Sequence, residues 1–243
     1  MANNEFLNKV LERTERLKKE GKTPLAIFDL DGTLFTYTLR VRNILLDALE
    51  GKEKEFPGAK TLIEHIPHTE YEYLVLDTIK KYDIDIPGLN DYILEFWERW
   101  FFANKYLKYD QPVPGGVDFV NAISESGIYI IYLTGRDIPR MGEGTIASIK
   151  NTGYPFGDGK AEIILKPKYE DDNWEHKNKS VERIKQMGEV ALAIDNEPGE
   201  VNILADKFPD AIVVMVHTLH SPGAPEPRDS VLHIKNFNDG FIE

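Results

Sequence analysis

The sequence contains no cysteine among its 243 residues, which excludes disulfide bonds and thiol catalysis. It also contains no apolar run that approaches the ~18 residues of a membrane span. Its first residues lack the basic stretch followed by an apolar core that marks a secretory signal. These absences predict a protein outside the membrane, and we expect a cytoplasmic location by default.

Positive charge is scarce as well. The chain has 29 lysines and arginines against 41 aspartates and glutamates, which gives a formal net charge of −12. Such a charge argues against nucleic acid or an anionic membrane as the main partner. An anionic ligand would also be repelled at long range, so any site that binds one needs a local cation.

What the sequence does contain is a regular alternation of apolar runs with amphipathic stretches, most clearly after residue 112. Apolar runs of strand length between helical patterns are typical of a parallel sheet covered on both faces. The pattern predicts an α/β fold with a doubly wound parallel sheet. We expect strands near 25–29, 128–133, 162–165, 190–194 and 211–216, and helices near 3–20, 116–126, 141–151 and 177–187, with one more from Pro198.

A long stretch, residues 37–110, interrupts this alternation with helical patterning. A connection of that length inside a compact domain is improbable unless it folds on its own account, so we expect a helical module. The densest part of this stretch places five apolar side chains on one helical face, which is either core or a surface that faces a ligand. These side chains are Ile93, Phe96, Trp97, Trp100 and Phe101.

Two carboxylates follow the first predicted strand. Asp29 ends the apolar run, Asp31 comes two residues later, and Gly32 and Thr33 then break the strand. Both carboxylates can converge beyond the strand's carboxyl end, which is where open α/β sheets bind ligands. Held so close, they repel each other unless a cation or a shared proton separates them. The alternative is an aspartate turn after a buried strand.

Two later strands also end in chemically active residues. The strand at 128–133 is followed by Thr134, Gly135 and Arg136: the hydroxyl can donate to a phosphoryl oxygen, and the glycine lets the backbone amide approach closely. Arg136 either binds substrate or pairs with a neighbouring aspartate, Asp31 or Asp137.

The strand at 190–194 is followed by Asp195, Asn196, Glu197 and Pro198. Acids before a helix that opens with proline also make a satisfactory helix start, and both interpretations can hold together.

These motifs resemble those of the haloacid dehalogenase-like (HAD) superfamily in its phosphatase form. Residues 29–33 are similar to its first motif, Asp-x-Asp-Gly-Thr, residues 133–136 to its second, and residues 195–198 to a variant of its acidic fourth motif. The resemblance implies that Asp29 is a nucleophile that attacks phosphorus, that Asp31 is the general acid/base, and that Thr134 binds the phosphate. It also implies a Mg²⁺ ion beside Asp29, Asp195 and the backbone carbonyl of Asp31.

The third motif of this superfamily is a single lysine, which commonly opens the helix before the acidic strand. Lys177 fits that position best, Lys179 comes second, and Lys166, at the end of a strand, is third. Whether Asn196, Glu197 or Glu200 assists the metal ligands stays open, because the acidic motif departs from the commoner patterns.

The resulting hypothesis is a Mg²⁺-dependent phosphomonoester hydrolase that acts on a small phosphorylated metabolite. Its core comprises residues 1–36 and 111–243, and residues 37–110 form a helical cap between the first and second motifs. A phosphomutase that uses the same residues is one alternative, and a non-catalytic phosphate-binding or scaffold domain is another.

Overall fold

The computed structural model describes residues 5–242. The strands are β1 (Pro24–Phe28), β2 (Phe35–Thr36), β3 (Gln111–Pro112), β4 (Tyr129–Asp137), β5 (Ala161–Lys166), β6 (Glu189–Asp195), β7 (Ile212–Val216) and β8 (Leu232–Ile234). The helices are α1 (Glu5–Lys19), α2 (Thr38–Ala48), α3 (Ala59–His65), α4 (Val75–Lys81), α5 (Leu89–Phe101), α6 (Asn104–Leu107), α7 (Gly116–Glu125), α8 (Ile138–Thr152), α9 (Asn173–Met187) and α10 (Pro198–Lys207), with a 3₁₀ turn at His68–Glu70.

A parallel sheet forms the centre of the molecule, with strand order β5-β4-β1-β6-β7-β8 within the described residues. Strand β1 lies between β4 and β6 and pairs with both in parallel. Its side chains are buried on both faces, because Leu25 and Ile27 join one apolar cluster while Ala26 and Phe28 join the other. Helices α1 and α7 cover one face, and α9 and α10 cover the opposite face. The predicted doubly wound α/β fold is therefore confirmed.

Two helices begin a turn earlier than the sequence pattern predicted. Helix α8 begins at Ile138, where the side chain of Asp137 accepts a hydrogen bond from the backbone N–H of Arg140 at 2.8 Å. Helix α9 begins at Asn173, where Asp172 accepts one from the N–H of Glu175 at 2.9 Å. The predicted starts near 141 and 177 were wrong because capping aspartates begin a helix before its apolar periodicity is visible.

Residues 37–110, called the insertion below, contain α2 to α6 and gather an apolar cluster of their own between Tyr37 and Ile93. The chain leaves the core after β2 and returns at β3, and these two short strands pair antiparallel, with Phe35 opposite Pro112. The ends of the insertion therefore lie side by side. Among the described residues, every helix is too short or too polar to cross a membrane.

Candidate active site

The predicted site residues lie at the carboxyl edge of the sheet. Asp29 directly follows β1, Thr134 lies in the last part of β4, and Asp195 ends β6. Because these three strands are neighbours and run in parallel, their ends meet on one side of the sheet. A pocket with a cavity volume of about 210 Å³ opens there, and its lining includes Asp29, Asp31 and Thr134.

The loop after β1 is held in place by Asn196. The backbone N–H of Asp29 still donates to the carbonyl of Ile194 at 3.0 Å, which keeps Asp29 beside the end of β6. Gly32 has φ of +85°, and a Cβ atom there would lie 2.3 Å from the side-chain nitrogen of Asn196, so only glycine fits. Asn196 also accepts a hydrogen bond from the hydroxyl of Thr33 at 3.1 Å. This turn lets Asp29 and Asp31 share the pocket.

Asp29 belongs to a group of three carboxylates around one ammonium, which we call the Asp29 cluster: Asp29, Asp195, Glu200 and Lys177. The Nζ atom of Lys177 lies 3.0 Å from Asp29 and 2.6 Å from Asp195, and it also contacts Glu200. Each of the three acids offers an oxygen within 4.8 Å of the others, the arrangement expected of a cation site. Lys177 lies on the buried face of α9 with Val181 and Ile184.

The Asp29 cluster carries more negative than positive charge. Burial raises the pKa of Asp29 to about 8, because the effect of Lys177 does not outweigh burial and the nearby charges of Asp195 and Asp31. Burial alone would lower the pKa of Lys177, but the carboxylates of Asp195 and Asp29 raise it above its usual value. The lysine therefore stays charged, and the cluster can accept further positive charge.

Asp31 belongs to a second ionic group, the Asp31 cluster: Asp31, Asp110, Arg40 and Arg136. Nε and Nη2 of Arg136 donate to the two oxygens of Asp31, both at 2.8 Å, and Arg40 donates to one of them. Asp110 accepts from Nε and Nη2 of Arg40 and from Nη2 of Arg136, each at 2.7 Å. Two carboxylates thus face two guanidinium groups, and the charges balance.

The pKa of Asp31 is shifted in the opposite direction from the pKa of Asp29. Burial alone would raise the pKa of Asp31, but the guanidinium groups of Arg136 and Arg40 outweigh burial and hold that pKa well below its usual range. Its side chain is 26% exposed and faces the pocket, whereas the side chains of Arg40 and Asp110 are completely buried. Asp31 is therefore an ionised carboxylate that the ligand side of the pocket can reach.

Aromatic side chains from the insertion line the same pocket as these carboxylates. Trp97 and Phe101, from the predicted aromatic stripe, line the pocket and also pack against the insertion's apolar cluster. The two interpretations of the stripe, core and ligand-facing surface, are thus both realised in part. Other apolar lining residues of the pocket are Tyr37, Tyr73, Leu74, Phe102 and Met141.

The remaining predicted residues divide between the pocket and the surface. Gly135 and Arg136 line the pocket beside Thr134, but the guanidinium donors of Arg136 are used by Asp31, Asp110 and Thr145. Of the three candidate lysines, Lys177 contacts Asp29. Lys166 instead donates to the backbone carbonyls of Tyr169 and Asp171. The exposed Lys179 pairs with Glu175 at 3.0 Å. The geometry thus favours Lys177 among the three lysines, and its catalytic role stays a prediction.

Sequence reasoning missed Arg40 and Asp110 and left Glu200 open. One signal for Arg40 was available, because it shares a helical face with the apolar residues Ile44 and Ala48, where a buried arginine needs an acidic partner. Asp110 carries no comparable signal. Glu197, the other open acid, accepts hydrogen bonds from the N–H and hydroxyl of Ser221 instead of joining the Asp29 cluster.

Comparison with known proteins identifies a family for the chain. Residues 51–194, more than half of the chain, match the family model described as HAD superfamily, subfamily IIIB (Acid phosphatase). The matched region includes Thr134 and Lys177, while Asp29 and Asp31 precede it. No curated protein matches the chain in sequence.

Several solved structures share the fold at low sequence identity. A protein assigned as a haloacid dehalogenase-like hydrolase from Burkholderia xenovorans LB400 is 12% identical, with a TM-score of 0.53 over 89% of this chain and 94% of its own. A HAD-superfamily hydrolase of subfamily IA from Geobacter sulfurreducens is 10% identical, with a TM-score of 0.50 over 89% and 93%. A protein assigned as a phosphatase from Clostridium difficile is 15% identical, with a TM-score of 0.51 over 83% and 89%. At such identities the likeness concerns the fold.

Proposed function

Because the chain belongs to the HAD superfamily, subfamily IIIB (acid phosphatase), and is therefore a phosphatase, we propose that it hydrolyses phosphomonoesters with Mg²⁺ through an aspartyl-phosphate on Asp29. The observation that carries this proposal is the place of Asp29. It follows a buried strand, contacts Lys177 at 3.0 Å, and lines one pocket with Asp31 and Thr134. The residues proposed as nucleophile, acid/base and phosphate ligand thus line one pocket.

The Asp29 cluster fits a divalent cation by the chemistry of its donors. Mg²⁺ prefers carboxylate and carbonyl oxygens and keeps several waters, and three carboxylate oxygens lie within 4.8 Å of one another here. Asp29, Asp195 and Glu200 would hold the ion once the Nζ atom of Lys177, which contacts all three, turns toward the substrate phosphate, with the backbone carbonyl of Asp31 as a further ligand. Bound there, the ion would screen the negative phosphate from the attacking carboxylate.

The chain's own residues divide the reaction into two steps. In the first, a carboxylate oxygen of Asp29 bonds to phosphorus and the bond from phosphorus to the alcohol oxygen breaks, while the ionised Asp31 accepts the proton of the monoprotonated phosphate ester and passes it to that oxygen. In the second, Asp31 takes a proton from a water molecule, which attacks the aspartyl-phosphate and releases inorganic phosphate. Lys177 and Thr134 hold the phosphoryl oxygens as charge develops on them.

The insertion acts as a cap in this proposal. Its residues Tyr37, Trp97 and Phe101 line the pocket, where they would exclude bulk water from the attack. A wall of this kind also favours a substrate whose alcohol carries an apolar or aromatic group, since such a group would bury its surface there. The partner is thus a small phosphorylated metabolite with an apolar portion.

The test compares the wild type with Asp29→Asn on a panel of alkyl and aryl phosphates, with Mg²⁺ or with excess chelator. We expect Asp29→Asn to lose on the order of 10⁴-fold or more in kcat, because the amide keeps the shape but cannot attack phosphorus. Asp118→Asn, an exposed position on α7, should keep full activity. Activity of Asp29→Asn within tenfold of the wild type contradicts the covalent route.

The same panel separates the alternatives. A phosphomutase would regenerate a sugar bisphosphate instead of releasing inorganic phosphate from it. A scaffold domain would turn over none of the panel, with or without Mg²⁺.

A further inference from the structure

Arg40 and Asp110 lie at the two places where the chain crosses between the core and the insertion. Arg40 is in the first turn of α2, just after β2, and Asp110 directly precedes β3. Nε and Nη2 of Arg40 donate to the two oxygens of Asp110, both at 2.7 Å, and both side chains are completely buried. This bidentate pair ties the two ends of the insertion together.

The pair also reaches the carboxylate of Asp31. Arg40 donates to Oδ1 of Asp31 from the insertion, while Arg136 donates to both oxygens from the core at 2.8 Å. Asp110 links the two arginines, because its Oδ2 accepts from Nη2 of each at 2.7 Å. Asp31 is therefore held from two sides, by Arg40 of the insertion and by Arg136 of the core.

We propose that Arg40 and Asp110 are positioning residues that orient the carboxylate of Asp31 for proton transfer. The proposal rests on the function proposed above, in which Asp31 is the general acid/base. Paired guanidinium and carboxylate groups fix direction as well as distance, and a proton donor must lie within hydrogen-bond reach of the leaving oxygen. Where the insertion sits on the core thus determines how Asp31 points.

Loss of Arg40 has a specific consequence in this network. Asp110 is buried and would keep only Arg136 as a guanidinium partner. Asp110 and Asp31 would then compete for Arg136, and Asp31 would turn from its place. If Asp110 is neutralised as well, that competition ends and Asp31 keeps its two bonds to Arg136.

The experiment measures kcat/KM for phenyl phosphates whose ring substituents vary the pKa of the leaving phenol. This parameter covers the steps up to transfer of the phosphoryl group to Asp29, and a general acid helps poor leaving groups most. We expect Arg40→Gln to lose about 10- to 100-fold in kcat/KM on the poorest leaving group and less than about threefold on the best. This difference steepens the slope of log(kcat/KM) plotted against the pKa of the leaving phenol. Arg42→Gln is the matched control: it lies on the same helix, donates to the carbonyl of Glu64 from an exposed place, and should keep the wild-type slope.

A second variant, Arg40→Gln with Asp110→Asn, keeps the charges of the network balanced and serves where Arg40→Gln fails to fold by circular dichroism. Its slope should lie between those of the wild type and Arg40→Gln. A uniform loss across the series, with the wild-type slope in both variants, overturns the positioning role and leaves the phosphatase assignment intact. A wild-type slope in Asp31→Asn overturns the acid/base role of Asp31 and this inference with it.

Discussion

Two aspartates separated by one residue occupy opposite electrostatic environments in this pocket. In the Asp29 cluster three carboxylates surround one ammonium, while in the Asp31 cluster two carboxylates face two guanidinium groups. The first has an excess of negative charge that a divalent cation would balance, and the second is balanced by the protein itself. One short motif thus contributes one carboxylate to a group with an excess of negative charge and another to a charge-balanced group.

The neighbours of a carboxylate, and not its place in the motif, therefore determine its pKa. The pKa of Asp29 is raised to about 8, chiefly by burial, while that of Asp31 is lowered because Arg136 and Arg40 outweigh burial. Three substitutions test this contrast.

The largest effect is expected from Asp31→Asn, which removes the proposed general acid/base but leaves the Asp29 cluster intact. We expect kcat/KM to fall by ~10²–10⁴-fold for alkyl phosphates and much less for p-nitrophenyl phosphate, whose leaving group needs no proton. The Mg²⁺ concentration for half-maximal activity should stay within about twofold, since the carboxylate of Asp31 lies outside the three-acid group. Asp77→Asn, at an exposed position of α4, is the control. An equal loss on both substrates would contradict the role of Asp31.

Lys177→Met tests the opposite cluster by removing its cation. We expect the free energy of unfolding in chelator to fall by roughly 3–5 kcal/mol, because three buried or half-buried carboxylates lose their partner. Urea unfolding with Mg²⁺ should recover part of that loss, since the ion supplies the missing charge. Lys179→Met, two positions along α9 and exposed, should change little. A loss that is the same with and without Mg²⁺ would place the ion elsewhere.

Glu200→Gln is the mildest change, because it removes one negative charge and leaves the nucleophile in place. It should raise the Mg²⁺ concentration for half-maximal activity by about tenfold while saturating Mg²⁺ restores most of kcat. Asp206→Asn provides the comparison on the same helix, where the exposed carboxylate pairs only with Arg228 among the described contacts. A Mg²⁺ titration that coincides with the wild type would remove Glu200 from the cation site.

The sequence predicted the centre of the sheet well because the central strands are buried on both faces and read as unbroken apolar runs, as in residues 25–28 and 190–194. The meeting of Asp29, Thr134 and Asp195 followed from the same logic, since parallel strands bring their carboxyl ends together. The roles of these residues stay predictions. The start of α9 was less accessible, because Asp172 caps the helix a turn before Lys177.

The Asp31 cluster shows what local patterns leave out. Arg40 and Asp110 are separated by 70 positions, and Arg136 is separated from Asp31 by 105. Their meeting depends on how the insertion packs on the core, which no periodicity within a single helix or strand encodes. The sequence raised a pairing of Arg136 with Asp31 as one option, but the second arginine and the shared carboxylate appear only in three dimensions.

The pairing of β2 with β3 makes the insertion an exchangeable part. With Phe35 opposite Pro112, the chain leaves and rejoins the core about one strand spacing (~4.8 Å) apart, a gap that a hairpin turn of a few residues would close. A shorter, longer or unrelated segment can therefore replace residues 37–110 without changing the strand order of the central sheet. Such a replacement would change the substrate selectivity and leave the residues at the carboxyl edge of the sheet in place. It would also remove Arg40 and Asp110 together, and Asp31 would keep its two hydrogen bonds from Arg136 of the core.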